Sequence, residues 1–313
     1  MLHIDQDFQQ QQLDERLKDD LEHLVRLAIR EDLDRGFDLT TVSVVPENLQ
    51  AHAKIVAREQ GVCAGADLIP WIIETIGADV KAEIHTGDAS LFEAGAVLAT
   101  LSGQARDVLT CERTILNFLG RLCGIASWTN RYVQVVVGLP ARIYDTRKTT
   151  PGWRRLEKYA TKCGGARNHR SGLYDAILIK DNHLACHEKI SGRLLNPGEA
   201  IDHARAFIAQ QPHVSPTTIV EIEVDTLEQL KTALGSTPDI VLLDNMSNDQ
   251  LLAAVALRNE LNPKVQLEAS GGVRLDTLRA IAETGVDRIS VGALTHSAVS
   301  LDLGLDWVLG AQT

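Results

Sequence analysis

The spacing of apolar residues changes character three times along the chain. From Leu13 to Asp32, Leu17, Leu21, Leu24, Val25 and Ala28 recur at helical intervals and predict one amphipathic helix. Gly36 follows, and Asp38-Leu39-Thr40-Thr41 has the composition of a turn or a helix cap. Between Ala51 and Leu101 the period becomes two. AHAKIVAREQGVCAG, VKAEIHTGDAS and AVLATLSG alternate apolar and polar positions between Gly and Asp turns, the pattern of an antiparallel sheet. His52 and His85 lie on these strands with no metal-like spacing around them and read as surface or structural residues. From Asp107 to Val136 helical spacing returns through Val108, Ile115, Leu116, Leu119, Leu122 and Ile125. This predicts a long helix or a kinked pair.

After Pro140, short apolar runs alternate with helical stretches almost to the end. The predicted strands are Arg142 to Asp145, Ala176 to Lys180, Thr218 to Val224, Ile240 to Asp244, Val265 to Ala269 and Arg288 to Val291. Predicted helices cover Pro197 to Gln210, Leu227 to Leu234, Asp249 to Asn259 and Leu275 to Thr284. Repeated βα units with near-continuous apolar strands imply a parallel sheet clad in helices, and this many of them suggest an α/β barrel.

Composition narrows the partners. The net charge of -11 argues against a nucleic-acid or anionic-membrane surface, both of which need a broad positive face. Cys63, Cys111, Cys123, Cys163 and Cys186 are odd in number and form no CxxC pair, so a reducing cytoplasm fits better than a disulfide framework or a zinc knuckle. The first 12 residues are Gln-rich and read as a frayed tail without the apolar core of a signal peptide.

Against this acidic background, residues 142–183 concentrate positive charge beside glycines, a composition suited to a compact polyanion. Arg154, Arg155, Lys158 and Lys162 read as a solvated helix face. Arg147, Lys148 and Lys180 differ, because each lies at or just past the C-terminal end of a predicted strand, where barrels place their ligands. Every strand in the second half ends in polar or glycine residues: Asp145 to Lys148, Lys180 to His183, Glu221 to Asp225, Asp244-Asn245, Glu268 to Gly272 and Val291 to Ala293. Loops are polar anyway, which explains one such end but not a whole rim of them. Ser270, Gly271 and Gly272 run into a helix and pair with the Gly292 turn, an arrangement that can bind phosphate. Glu221, Glu223 and Asp225 alternate and share one strand face, where buried carboxylates need a lysine, a metal ion or sugar hydroxyls as partners.

DTRKTTPG, GGARNHR and ILIKDNH, in this order and spacing, resemble the quinolinate phosphoribosyltransferase family from roughly residue 20 onward. The resemblance implies an α+β sandwich domain over 13–137, joined by the C-terminal segment 297–313, and an incomplete parallel α/β barrel over 138–296. It also implies the decarboxylating transfer of ribose phosphate from phosphoribosyl pyrophosphate to quinolinate in NAD biosynthesis. In that reading Ser270, Gly271, Gly272, Val291, Gly292 and Ala293 hold the 5-phosphate, while Glu223 and Asp244 hold the ribose hydroxyls and Mg. Thr146, Arg147, His169, Arg170 and Lys180 bind the carboxylates and the pyrophosphate, joined by Arg113 from the partner of a homodimer. Lys148, with the metal, offsets charge on the leaving diphosphate, so Lys148, Lys180, Glu223 and Asp244 are the implied catalytic set. One position departs from the family pattern: Gly164-Gly165-Ala166 is followed by the charged Arg167, where relatives are commonly apolar. A rival reading makes Lys180 a Schiff-base lysine, which leaves Arg113, Arg147 and Arg170 unexplained.

Overall fold

A computed structural model describes residues 7–193 and 195–308. Helices α1 (Glu15–Leu33) and α2 (Leu39–Val44) lead into strands β1 (Gln50–Ala57) and β2 (Gly61–Val62), then α3 (Ile69–Ile76), β3 (Val80–Ile84), β4 (Leu91–Phe92), β5 (Val97–Gln104) and the long α4 (Ala105–Val135). The second half runs β6 (Arg142–Tyr144), α5 (Arg154–Cys163), β7 (Ile177–Ile179), α6 (Asp181–Ser191), α7 (Pro197–Gln210), β8 (Val220–Val224), α8 (Leu227–Leu234), β9 (Ile240–Asp244) and α9 (Asn248–Leu261). It closes with β10 (Gln266–Ser270), α10 (Leu275–Glu283), β11 (Arg288–Ser290), α11 (Ala293–His296) and β12 (Leu303–Trp307).

Two compact units result. One holds 11–130, 148–166 and the chain from Ala293 on. Its antiparallel sheet has the order β12-β1-β5-β3. α1 forms where its spacing predicts: Asp14 caps it by accepting from the Leu17 amide, and Leu17, Leu21 and Val25 face the core. Asp38 is a cap too, accepting from the Thr41 N–H at 2.9 Å. α4 is a single helix, and Gly124 lets the C-terminal segment cross it, because a Cβ there would lie 2.0 Å from the Val299 carbonyl.

Residues 148–166 were expected with the barrel, yet they pack here, and a buried ion pair accounts for that placement. Glu157 is fully buried and accepts from Arg121 at 2.6 Å, while Arg121 also donates to the Thr295 and Ala298 carbonyls. Glu157 further accepts from the Thr150 amide and hydroxyl, so one carboxylate ties α4, α5 and the 148–152 loop together. The solvated-face reading of α5 is corrected by the same packing. Lys158 is fully buried, Arg155 pairs with Asp20 at 2.6 Å, and Lys162 donates to the Gln11 carbonyl. A helix this basic keeps its charges by finding carboxylates and carbonyls from distant chain segments, which local spacing does not reveal.

The other unit comprises the chain through Gln10, 131–147 and 167–292. Six parallel strands in the order β6-β11-β10-β9-β8-β7 form its sheet, with β6 and β7 at the edges. Arg167 adds a bridge to Tyr144 outside β6, a seventh strand reduced to one residue pair. The fold is thus the incomplete parallel α/β barrel expected from the sequence. Residues 1–6 of the expected frayed tail lie outside the described residues, but the remainder is not frayed. Phe8 is 4% exposed and packs with Tyr144, Ala176, Ile219 and Ile240, which apart from Tyr144 lie at the starts of their strands. An aromatic residue among glutamines finds apolar surface at the open base of the barrel, and burying it outweighs the cost of ordering the tail.

Candidate active site

Parallel strands carry their side chains inward in successive layers, and the second position of β8 lies deeper than the fourth. Glu221 is therefore fully buried, Glu223 is partly buried nearer the rim, and Asp225 is exposed. Lys180, at the N-cap of α6 just beyond β7, forms a short ion pair with Glu223 across neighbouring strands. Asp244 ends β9 opposite Ser270 at the end of β10 and accepts from the Asn245 side chain at 2.6 Å. The rim thus brings Lys180, Glu223, Asp244 and Ser270 to the C-terminal ends of adjacent strands, as their positions in the sequence foretell. A lysine already matched by a carboxylate lacks the apolar surroundings that activate a Schiff-base amine, which disfavours the rival reading.

Gly271 and Gly272 follow with φ of 94° and 59°. Any side chain at Gly271 would also collide with Asn245, whose Oδ1 lies 2.2 Å from the Cβ position. The turn therefore demands glycine and brings bare backbone to the start of α10, the geometry suited to an anion. Val291, by contrast, commits its amide to the Tyr144 carbonyl at 2.9 Å and is buried. Its backbone N–H is thus removed from the expected phosphate donors. Gly292 is half-buried beside it, and Ala293 opens α11 in the other unit.

Arg147 and Thr146 are half-buried after β6, and Arg170 is 6% exposed and donates to the Ala176 carbonyl. Burial lowers the Arg170 pKa, and the like charge of Arg147 lowers it further. Arginines after β6 and before β7 offer paired N–H donors to an anionic group. Lys148 is exposed and belongs to the other unit, as does Arg113, which is exposed on α4 with Glu112 at 3.4 Å.

His169 was expected among the substrate ligands, but both its ring nitrogens are engaged inside the barrel. Nε2 lies 3.1 Å from Glu221 and 3.4 Å from Glu268, and Nδ1 accepts from the Arg170 amide at 2.7 Å. Burial by itself lowers the His169 pKa, yet the two acids outweigh it and push it up to about 10. The Arg170 N–H at Nδ1 orients the ring, so that Nε2 presents its proton to the two acids. Burial raises the pKa of Glu221; at Glu268, His169 and Arg288 outweigh burial and lower it. These three residues are the one group of metal-ligating type among the described residues. Nε2 faces both carboxylates and Arg288 adds a cation, so the group forms a buried charge cluster. Arg288, 1% exposed, completes it between the rings of Tyr144 and Phe8. Sequence reasoning passed over Arg288 and Phe8. The available signal was a charged residue opening an otherwise apolar strand, and an aromatic residue in a polar tail.

An open parallel barrel whose strand ends gather paired arginines, a lysine, two acids and a glycine turn defines an enzyme of anionic substrates. Residues 38–123 match the N-terminal domain of quinolinate phosphoribosyl transferase, and residues 125–306 its C-terminal domain. The chain is 42% identical to the nicotinate-nucleotide pyrophosphorylase [carboxylating] of Mycobacterium leprae, covering 90% of this chain and 95% of that one. The chloroplastic enzyme of Arabidopsis thaliana with the same name is 35% identical, over 91% of this chain and 82% of its own. The solved nicotinate-nucleotide pyrophosphorylase of Francisella tularensis superposes with a TM-score of 0.85 at 35% identity, covering 96% of this chain and all of that one. The chain belongs to the quinolinate phosphoribosyltransferase family and is a pentosyltransferase.

Proposed function

We propose that the rim of the barrel joins quinolinate to the ribose of phosphoribosyl pyrophosphate and releases pyrophosphate and carbon dioxide. The observation that carries this assignment is the gathering of Lys180, Glu223, Asp244, Ser270 and the Gly271-Gly272 turn at adjacent C-terminal strand ends, with Arg147 and Arg170 supplying the paired N–H groups that suit a planar dicarboxylate. Glycines 271 and 272 offer backbone amides to the 5-phosphate, and Ser270 adds a hydroxyl. Glu223 and Asp244, on adjacent strand ends, face the ribose hydroxyls. They are also hard oxygen donors of the kind magnesium takes together with substrate phosphates, where the ion offsets diphosphate charge.

Bond breaking at C1 leaves positive charge on the sugar and negative charge on the pyrophosphate. Fixed carboxylates stabilise the first, while Lys148 and Lys180 stabilise the second. The pyridine nitrogen is the nucleophile, so no side chain needs to attack. Once the nitrogen is alkylated, the 2-carboxylate departs as carbon dioxide, the adjacent cationic nitrogen stabilises the electron pair left on C2, and a proton from water takes the lost group's place. Arg113, exposed on α4, acts in the site of a second copy, which makes the working enzyme a homodimer. Five free cysteines suit the cytoplasm, and among the described residues no helix is long and apolar enough to cross a membrane.

Incubation with quinolinate, phosphoribosyl pyrophosphate and magnesium tests the assignment. Stoichiometric carbon dioxide and pyrophosphate are expected. Release of pyrophosphate with nicotinate in place of quinolinate, at equal efficiency, would overturn it.

A further inference from the structure

The N-terminal segment reaches three consecutive residues that lead to Arg170. Asp7 accepts from Arg167 at 2.6 Å and from the Tyr144 hydroxyl at 3.1 Å, and it pairs closely with Arg288. Gln10 grips Asn168 from both sides: its amide nitrogen donates to the Asn168 carbonyl at 3.2 Å, and its oxygen accepts from the Asn168 N–H at 2.8 Å. Phe8 stacks on His169 with ring centroids 4.3 Å apart and planes 28° from parallel. The same Gln10 nitrogen donates to the Phe8 carbonyl at 2.8 Å, so the grip and the stack are coupled.

The 167–170 segment has a second anchor. Asp145 accepts from the Asn168 side chain at 2.7 Å and from the His169 amide at 2.8 Å, and Asp145 precedes Thr146 and Arg147 by one and two residues. Arg147 and Arg170 are therefore both aligned through this segment, one from Asp145 and one from the His169 ring that receives the Arg170 N–H. Arg147 follows β6 and Arg170 precedes β7, both outside regular elements, so their placement depends on how the backbone beneath them is held. Regular strand pairing does not hold it, since Arg167 contributes a single bridge to β6.

We propose that Asp7, Phe8 and Gln10 form a strap under the barrel that positions the Arg147–Arg170 pair for its dicarboxylate. The three are positioning residues: they touch the segment that carries the ligand, not the ligand. This inference rests on the reading of Arg147 and Arg170 as the carboxylate site. It implies that loosening the Gln10 grip weakens the acid substrate selectively, because Gln10 bonds to Asn168 in the segment that leads to Arg170, whereas the phosphate turn at 270–272 and the acids Glu223 and Asp244 lie on other strands. A purely structural tail would instead lower stability and affect both substrates alike.

The test uses the full chain with Gln10→Ala and Phe8→Ala, measuring KM for quinolinate and for phosphoribosyl pyrophosphate separately, with calorimetric binding of quinolinate to Arg147→Ala as the reference. Loss of the Gln10 hydrogen-bond pair predicts a rise of roughly tenfold in KM for quinolinate, with KM for phosphoribosyl pyrophosphate within about twofold of its original value, while loss of the Phe8 ring stack predicts a rise at least as large for quinolinate. Gln10→Glu, which keeps the acceptor for the Asn168 N–H, should recover part of the loss. Gln10 carries the test if Phe8→Ala does not fold, since removing its half-buried side chain leaves no large cavity. An unchanged quinolinate KM in a folded Gln10→Ala protein, or an equal rise in both constants, overturns the strap. Should Arg147→Ala bind quinolinate normally, the carboxylate site itself is wrong, which is a distinguishable result.

Discussion

The Lys180 ammonium rests on the Glu223 carboxylate at the C-terminal rim of the barrel, joining the end of β7 to β8. In the free protein each charge neutralises the other. On the proposed function, an incoming diphosphate would attract Lys180 and free Glu223 for the sugar, linking substrate binding to charge separation. Lys180→Met and Glu223→Gln should each lower kcat by roughly a hundredfold or more, the usual effect of deleting one preorganised charge. Thermal denaturation should show both variants folded.

Arg147 stands at the end of β6 beside Arg170, and Arg147→Ala should abolish turnover while leaving the fold intact. Quinolinate, which stabilises the original protein by mass action, should lose that effect in the variant.

Glu157 is buried with Arg121, and deleting one partner leaves the other charged and unmatched. Glu157→Ala should cost about 3–5 kcal/mol in denaturant unfolding. Replacing both, as Arg121→Met with Glu157→Leu, should cost less than Glu157→Ala alone, because no orphaned charge remains.

Asp38 accepts from the Thr41 hydroxyl and amide, and these bonds hold its pKa below the usual aspartate value. A lowered carboxylate pKa stabilises the folded chain at pH values above that of the unfolded state and ceases to do so as pH falls through the folded value. Asp38→Ala should therefore lower stability at pH 7 by about 1 kcal/mol, typical of a lost N-cap. The gap between variant and original protein should close on acidification below about pH 4.

Cys186 is exposed, whereas burial pushes the thiols of Cys111 and Cys163 up to about 12. Cys63 is raised further by its contact with Cys123. A thiolate reagent at pH 8 should modify one cysteine rapidly in the folded protein, and Cys186→Ser should remove that fast phase.

Much of this was legible in the sequence. Helical spacing located α1 and α4, period two located β1, β3 and β5, and the βα rhythm gave the order of the barrel strands, with α7 and α8 matched residue for residue. Strand ends also foretold the rim of Lys180, Glu223, Asp244 and Ser270. Less visible was α6, because Lys180 to His183 reads equally as loop; there a lysine N-cap and the His183 side chain start the helix.

Sequence by itself determined the local directions of the chain: which residues face inward on a strand, where a helix begins, and which glycines must turn. These follow from short-range sterics and from the periods of backbone geometry, so neighbours in sequence suffice. Tertiary structure alone decided which buried charges meet. His169 finds Glu221 and Glu268, Glu157 finds Arg121, and Phe8 leaves a polar tail to cover His169 and Arg288, because a buried charge or ring must satisfy itself from whatever the fold brings near.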